Sequence, residues 1–359
     1  MKRDSSSYPP TIIAIRLRLL GDVLATLGTL RALKRSAPDH RIVFVVDSHY
    51  HDLLKNTKYI DSLFPQPPRI DGFNGALAYG QYIDDLRNLY ATHALDFHSN
   101  TRSALLSYLT GAPVRVGFDV RIRKMLYTDV EPRARFEDGH PVARTSHESA
   151  MALVRRSGFT SVNGPADRTI TVRGADAIAG RHVLVESGIA PKVIDSGRLV
   201  GLNAGNPYPA KAWAVENWIE LTGMLTGSGR EVVVFWGPGE KGVAKDIVRR
   251  SVGSVYLLPA LPLNALPGVL NSVAQLVTID SGLKHLAVAV GVPTVTLFGP
   301  TSPFEWHMGG DRDRFLYEDL SCSPCRLLEC HIGQPCMTQI TPQRVFETIQ
   351  SAEVSGVDT

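Results

Sequence analysis

Ala274-Gln275-Leu276-Val277-Thr278-Ile279-Asp280-Ser281-Gly282-Leu283-Lys284-His285 is an apolar run of strand length that stops at a short polar break and resumes with helical spacing. The first six residues read as a buried strand and Ser281 to Val290 as a helix. After Gly291-Val292-Pro293, Thr294-Val295-Thr296-Leu297-Phe298 reads as a second strand. Strand, helix and strand in close succession form a β-α-β unit, because parallel strands need a crossover and a helix supplies it. Continuous apolar strands, without alternation, belong to a sheet covered on both faces.

The same rhythm extends upstream. Leu199-Val200-Gly201-Leu202-Asn203 is a strand, a helix runs over 215–226, and Glu231-Val232-Val233-Val234-Phe235-Trp236 is a strand that ends in Gly237-Pro238-Gly239. In the first half, Thr11 to Ile15, Arg41 to Asp47, 94–97 and Val114 to Phe118 are strand candidates. Helical spacing runs from Val23 to Ala37 and from Arg102 to Leu109. With 359 residues the chain is longer than a single core usually grows. Two doubly wound α/β domains are expected, facing each other across a cleft at the carboxyl ends of their strands, where ligands bind in open sheets. The polar stretch Asp195-Ser196-Gly197, after a helical segment, draws the boundary into this region. The expected divisions are a disordered start (1–10), a first domain (11–185), a second domain (186–340), and a terminal helix with a frayed tail (341–359).

Composition narrows the function. Charged residues make up 20% and hydrophobic residues 44%, which is globular rather than disordered. No apolar run approaches the ~18–20 residues of a membrane span, and the polar start lacks a signal-like apolar core. A cytoplasmic protein is expected. The net charge of +3 hides an asymmetry: residues 1–175 hold 24 Lys and Arg against 17 Asp and Glu, the remainder 14 against 18. A basic half suits an anionic partner, but the excess is too dilute for a nucleic-acid binder, and no nucleic acid is expected.

Three loops of the second half suit a nucleotide diphosphate in combination. Asp280-Ser281-Gly282 begins a helix, whose free N–H groups and positive end attract anions, with His285 one turn inside. The long loop Asn203 to Trp213 carries Asn206 and Lys211, a cation for a diphosphate. Gly237-Pro238-Gly239-Glu240 supplies an acid for ribose hydroxyls. Each feature alone also has a plain structural meaning as a cap, a solvated lysine or a turn. Neither a Walker A sequence nor Gly-x-Gly-x-x-Gly occurs at a strand end. In the first half, Asp22 follows strand one and could cap a helix or take a proton from a hydroxyl. Arg18, Asn100, Arg102, Arg115, Arg121, Arg123 and Lys124 could grip carboxylates or phosphates.

Gly21-Asp22-Val23-Leu24, Asn100 to Leu106, Arg115 to Phe118, Lys211-Ala212-Trp213, Gly237 to Glu240, Asp280 to Ala287, Gly291 to Thr294 and Leu297 to Thr301 resemble, in order and spacing, the ADP-heptose:lipopolysaccharide heptosyltransferases of glycosyltransferase family nine. The resemblance runs from about Ile12 to about Ile349. It implies a GT-B fold with the acceptor domain first and the nucleotide-sugar domain second. It also implies inverting transfer of a heptose from ADP-L-glycero-D-manno-heptose to the lipopolysaccharide inner core (Kdo-lipid A or heptosylated core), with no cofactor and no catalytic metal. Asp22 would be the general base. Lys211 would neutralise the diphosphate, Glu240 would hold the ribose, and Asp280, Ser281, Gly282 and His285 would frame the diphosphate and sugar. The lipid-borne acceptor would keep the enzyme in peripheral contact with the inner face of the cytoplasmic membrane. Departures from the family pattern stand at Arg18, Leu19, Gly28, Asn203 and Ala214. A transferase using another nucleotide sugar and an inactive family member serving as an assembly partner are the alternatives.

All four cysteines lie in one stretch, Cys322-x-x-Cys325-x4-Cys330-x5-Cys336. The spacing is compatible with structural zinc, an iron–sulfur cluster or reduced thiols, with no catalytic part in any case.

Overall fold

The computed structural model describes residues 9–67, 72–133, 135–137, 140–142, 144–166, 169–205 and 207–354. Residues 1–8 of the expected disordered start, 355–359 of the expected tail, and the candidate Asn206 lie outside the described residues.

The first compact unit, Met1–Ala166, is built on β1 (Thr11–Ile15), β2 (Arg41–Asp47), β3 (Ser62–Gln66), β4 (His93–Asp96), β5 (Val114–Phe118) and β6 (Asp129–Glu131). All pair in parallel, in the order β3-β2-β1-β4-β5-β6. A small antiparallel hairpin, β7 (Arg135–Glu137) with β8 (His140–Val142), follows. The second unit, Asp167–Thr359, repeats the plan with β9 (Leu199–Asn203), β10 (Glu231–Phe235), β11 (Val255–Leu257), β12 (Gln275–Ile279), β13 (Thr294–Phe298) and β14 (Arg314–Tyr317), ordered β11-β10-β9-β12-β13-β14. The doubly wound α/β expectation therefore holds in each unit. Strand order reverses between β1 and β4 and between β9 and β12, so the loops after these four strands diverge and leave a crevice for ligands.

Burial explains which strands were legible. Every residue of the central strands β1, β9, β12 and β13 is buried, and their apolar runs are unmistakable. The sequence reading misses β3, β6, β11 and β14, which are the edge strands of the two sheets. Edges are short and half-exposed, and β3 even contains Pro65, which only an edge tolerates.

The expected boundary at 185/186 moves to 166/167. Helix Gly174–Glu186 belongs to the second unit because it packs against helix Leu266–Leu270 at backbone contact. A Cβ added to Gly180 would lie 2.1 Å from the carbonyl carbon of Gly268, and one on Gly268 would lie 2.0 Å from the carbonyl oxygen of Asp176. Only a glycine pair permits this crossing. Nor is the C-terminal helix, Pro342–Val354, a separate element: its Val345 and Ile349 are fully buried in one core cluster with Trp218, Leu221 and Leu225.

These contacts yield a paired stability prediction. Gly180→Ala should lower the free energy of unfolding by about 2–3 kcal/mol, as for an overpacked core. In contrast, Gly223, helical and with open space around it, should gain up to ~1 kcal/mol on becoming Ala. Urea denaturation of both variants checks the contrast.

Candidate active site

In the second unit, the loops at the β9/β12 reversal gather charge around one carboxylate. Asp280 ends the turn after β12 and is 6% exposed. Its Oδ2 accepts from Lys211 Nζ at 2.7 Å and from Thr301 Oγ1 at 2.8 Å, while Oδ1 accepts from Lys284 Nζ at 3.0 Å. Lys211 also donates to the Asp280 carbonyl at 3.2 Å. Burial pushes the Asp280 carboxyl up, but Lys284 and then Lys211 outweigh it and hold the group far below the usual carboxylate range. One carboxylate with two ammonium groups leaves an excess positive charge here.

Ser281 caps helix Gly282–Val290, its Oγ accepting from the Lys284 N–H at 3.3 Å. Asn203 Nδ2 donates to Ser281 Oγ at 3.0 Å and to Thr278 Oγ1 at 3.1 Å, tying β9 to β12 beneath the cap. Ser281 and Gly282 are half-exposed, so the amide-rich helix start remains accessible. His285 is buried with its ring edge-on to Trp306, 5.8 Å between centroids. Burial and Lys284 hold its imidazole well below the ordinary value, so it is neutral at pH 7 and can donate or accept but carries no charge.

Glu240 sits beside the same crevice. Its Oε2 accepts from the Gly237 N–H at 2.7 Å, and a Cβ on Gly205 would meet it at 2.3 Å, so the first loop needs a glycine there. Burial raises the Glu240 carboxyl, opposed by that N–H. Lys211, Glu240, Asp280 and Ser281 thus lie on neighbouring loops of one unit, with Gly282 and His285 in the first turn of the helix that follows. Lys284 is what the sequence reading overlooked. It is 2% exposed, also donates to the Trp306 carbonyl at 2.8 Å, and lies 4.9 Å over the Phe298 ring. Its spacing of four residues from Asp280, across the start of the helix, was the available signal.

In the first unit, Asp22 lies in the first turn of helix Leu20–Ser36 and is 8% exposed. It does not cap the helix: the cap is Leu19, at φ 67°, with no side-chain bond. Arg16, absent from the sequence candidates, places Nη2 2.6 Å from Asp22 Oδ1. Among the proposed anion grips, Arg18 is exposed in the same loop. Asn100 caps helix Thr101–Leu109, accepting from the Ser103 N–H at 2.8 Å, and its Nδ2 lies 3.1 Å from His98 Nε2. Arg102 lies 5.7 Å over the Tyr79 ring. Arg121, Arg123 and Lys124 ride the 3-10 segment Arg121–Leu126, with Lys124 3.4 Å from Asp119. Arg115 is structural, donating to the carbonyls of Leu126 at 3.1 Å and Ala112 at 2.7 Å.

The cysteines form no disulfide: Cys322 and Cys325 are exposed, Cys330 half-exposed and Cys336 buried. Among the described residues no group of three or more His, Cys, Asp or Glu side chains is placed to hold a metal ion. Burial pushes the Cys336 thiol up to about 11.

The histidines set a pH dependence. Burial, with nearby cations, lowers His98 and His307 to about 4 and His285 well below its ordinary value. A base with a depressed folded pKa contributes fully above its unfolded value near 6.5, and the contribution falls as pH drops below it, because the unfolded chain then binds the extra proton. The melting temperature should therefore fall between pH 7 and pH 5, and His307→Gln should flatten that slope in a calorimetric pH series.

With this geometry established, comparison with known proteins identifies the chain's relatives. The family model for glycosyltransferase family 9 (heptosyltransferase) matches residues 80–334. The chain is 25% identical over 364 residues to lipopolysaccharide heptosyltransferase 1 of Pseudomonas aeruginosa, spanning 95% of this chain and 97% of that protein. Its fold is similar to that of the family 9 glycosyl transferase from Veillonella parvula, with TM-score 0.82, 20% identity, and coverage of 97% and 98% of the two chains. It is also similar to Escherichia coli heptosyltransferase WaaC, solved with ADP-2-deoxy-2-fluoro heptose, with TM-score 0.69, 21% identity and coverage of 95% and 99%. The family model covers well over half of the chain, and the chain therefore belongs to glycosyltransferase family 9, the heptosyltransferase family.

Proposed function

We propose that the chain is an inverting heptosyltransferase that moves a heptose from ADP-L-glycero-D-manno-heptose to the lipopolysaccharide inner core, either Kdo-lipid A or an already heptosylated core. The observation that carries this reading is the excess positive charge around Asp280 at an open helix start, which suits the two phosphates of the donor. The relatives named as lipopolysaccharide heptosyltransferases support the sugar and the acceptor.

The chemistry follows from those charges. An acceptor oxygen attacks the anomeric carbon, the bond from that carbon to the diphosphate oxygen breaks, and ADP leaves with the electron pair. The transition state is oxocarbenium-like, with negative charge growing on the diphosphate. Lys211, released from Asp280, and the N–H groups of Ser281 and Gly282 meet that charge with little reorganisation. Lys284 keeps Asp280 compensated when Lys211 turns to phosphate. Glu240 accepts from ribose hydroxyls, and neutral His285 orients the sugar end. Asp22 takes the proton of the attacking hydroxyl. Arg18, Asn100, Arg102, Arg121, Arg123 and Lys124 hold the carboxylates and phosphates of the acceptor. That acceptor is lipid-borne, which would bring the chain to the inner face of the cytoplasmic membrane as a peripheral visitor. Among the described residues no helix is long and apolar enough to cross a membrane.

Incubation of the purified protein with ADP-heptose and Kdo-lipid A, read by mass spectrometry, should yield the heptosylated acceptor. Transfer from a different nucleotide sugar alone would overturn the proposal. Asp22→Asn should lower kcat by roughly 10²–10⁴, the usual contribution of a general base, with ADP affinity unchanged. Lys211→Ala should instead weaken ADP binding in calorimetry by about tenfold or more, the equivalent of ~1.4 kcal/mol.

A further inference from the structure

We infer that Arg16 is a positioning residue for Asp22, fixing the carboxylate on its helix and setting the lower pH limit of transfer. The inference rests on the reading of Asp22 as the base and goes beyond it, because Arg16 has no part in that reading.

Arg16 is the first residue after β1, and its own N–H donates to the Val45 carbonyl at 3.0 Å, so its backbone is held at the end of the sheet. Its side chain is only 13% exposed. One guanidinium nitrogen, Nη2, meets Asp22 Oδ1 at 2.6 Å, and the other, Nη1, donates to the carbonyl of Phe97, just beyond β4. A single planar group therefore bridges the two strands of the β1/β4 reversal and the first turn of helix Leu20–Ser36. That helix start has no side-chain cap, and it follows Leu19 in the left-handed region. The Thr26 hydroxyl, at 2.9 Å, binds the Asp22 backbone carbonyl rather than its carboxylate.

The surrounding charges give the effect its sign. Arg16 and Arg18 come from the loop after β1. The end of β2 contributes Asp47, and the segment after it Tyr50, whose hydroxyl is pushed up by burial and by Asp47 and Asp22. The loop after β4 contributes His98, lowered to about 4 by burial, Arg16, Arg18 and Arg133, and hence neutral. Arg16 is a cation in direct contact with the carboxylate. An opposite charge at this range favours the ionised form of a carboxyl, and that is the sense in which Arg16 acts on the base. A guanidinium fork also limits rotation about the carboxylate bonds in a way that a lysine ammonium cannot.

The test is the pH profile of kcat at saturating donor and acceptor. In Arg16→Gln and Arg16→Ala the acidic limb should move upward by about one unit or more, with a lower plateau and unchanged ADP affinity. Arg16→Lys should keep the limb near its original position while the plateau still falls, since charge is retained and the fork is lost. A residue that served only to support the fold would lower kcat or stability without moving the limb. An unmoved limb in the folded uncharged variants would overturn the inference. If those variants fail to fold, an unchanged plateau in Arg16→Lys would overturn it. Retained turnover in Asp22→Asn would instead overturn the base assignment, a result distinct from either of these.

Discussion

The second unit is organised around the buried carboxylate of Asp280. A lone carboxylate at this depth would be costly to ionise, and Lys284 and Lys211 make ionisation favourable by approaching its two oxygens. Lys284 in turn binds the Trp306 carbonyl, so the pair ties the start of helix Gly282–Val290 to the segment after β13. The half-exposed Lys211 is the more accessible of the two partners. Under the proposed function, this asymmetry would let a diphosphate compete for Lys211 while the deeper ion pair keeps the turn in shape.

The first unit handles its own carboxylate by the same means. Asp22 lies at the strand-order reversal of its sheet, close to Arg16, as Asp280 lies close to its lysines at the reversal of the other. In both units the loops of the central strands diverge at this place, backbone groups are left to bind ligands, and a charged residue can be partly desolvated without losing its partner. The two sites differ in the sign of their charge: the lysines exceed the acid in one, which under the proposed function suits an anionic diphosphate, while the other presents a paired carboxylate.

The pattern of misses in the sequence reading is physical. Central strands such as Leu199–Asn203 and Thr294–Phe298 are covered on both faces and leave an apolar run that needs no context. Edge strands such as Val255–Leu257 are held by a neighbour on one side and carry half-exposed residues, so no periodicity marks them. The unit boundary falls before helix Gly174–Glu186 because that helix is attached through a contact between Gly180 and Gly268, residues far apart in the chain whose meeting leaves no local trace.

The alternation of strands and helices, the two-unit plan and most of the diphosphate loops were legible from the chain alone, because they depend on local periodicity and on short motifs such as Asp280-Ser281-Gly282. The family resemblance was legible for the same reason. Only the tertiary structure brought out Arg16 and Lys284 as partners of the two key carboxylates. A charged residue after an apolar strand, or one turn into a helix, reads as solvated until the fold shows what it meets. Strand order, and with it the choice of loops that become sites, depends on pairing between distant segments, where the free energy comes from burial and not from any local preference.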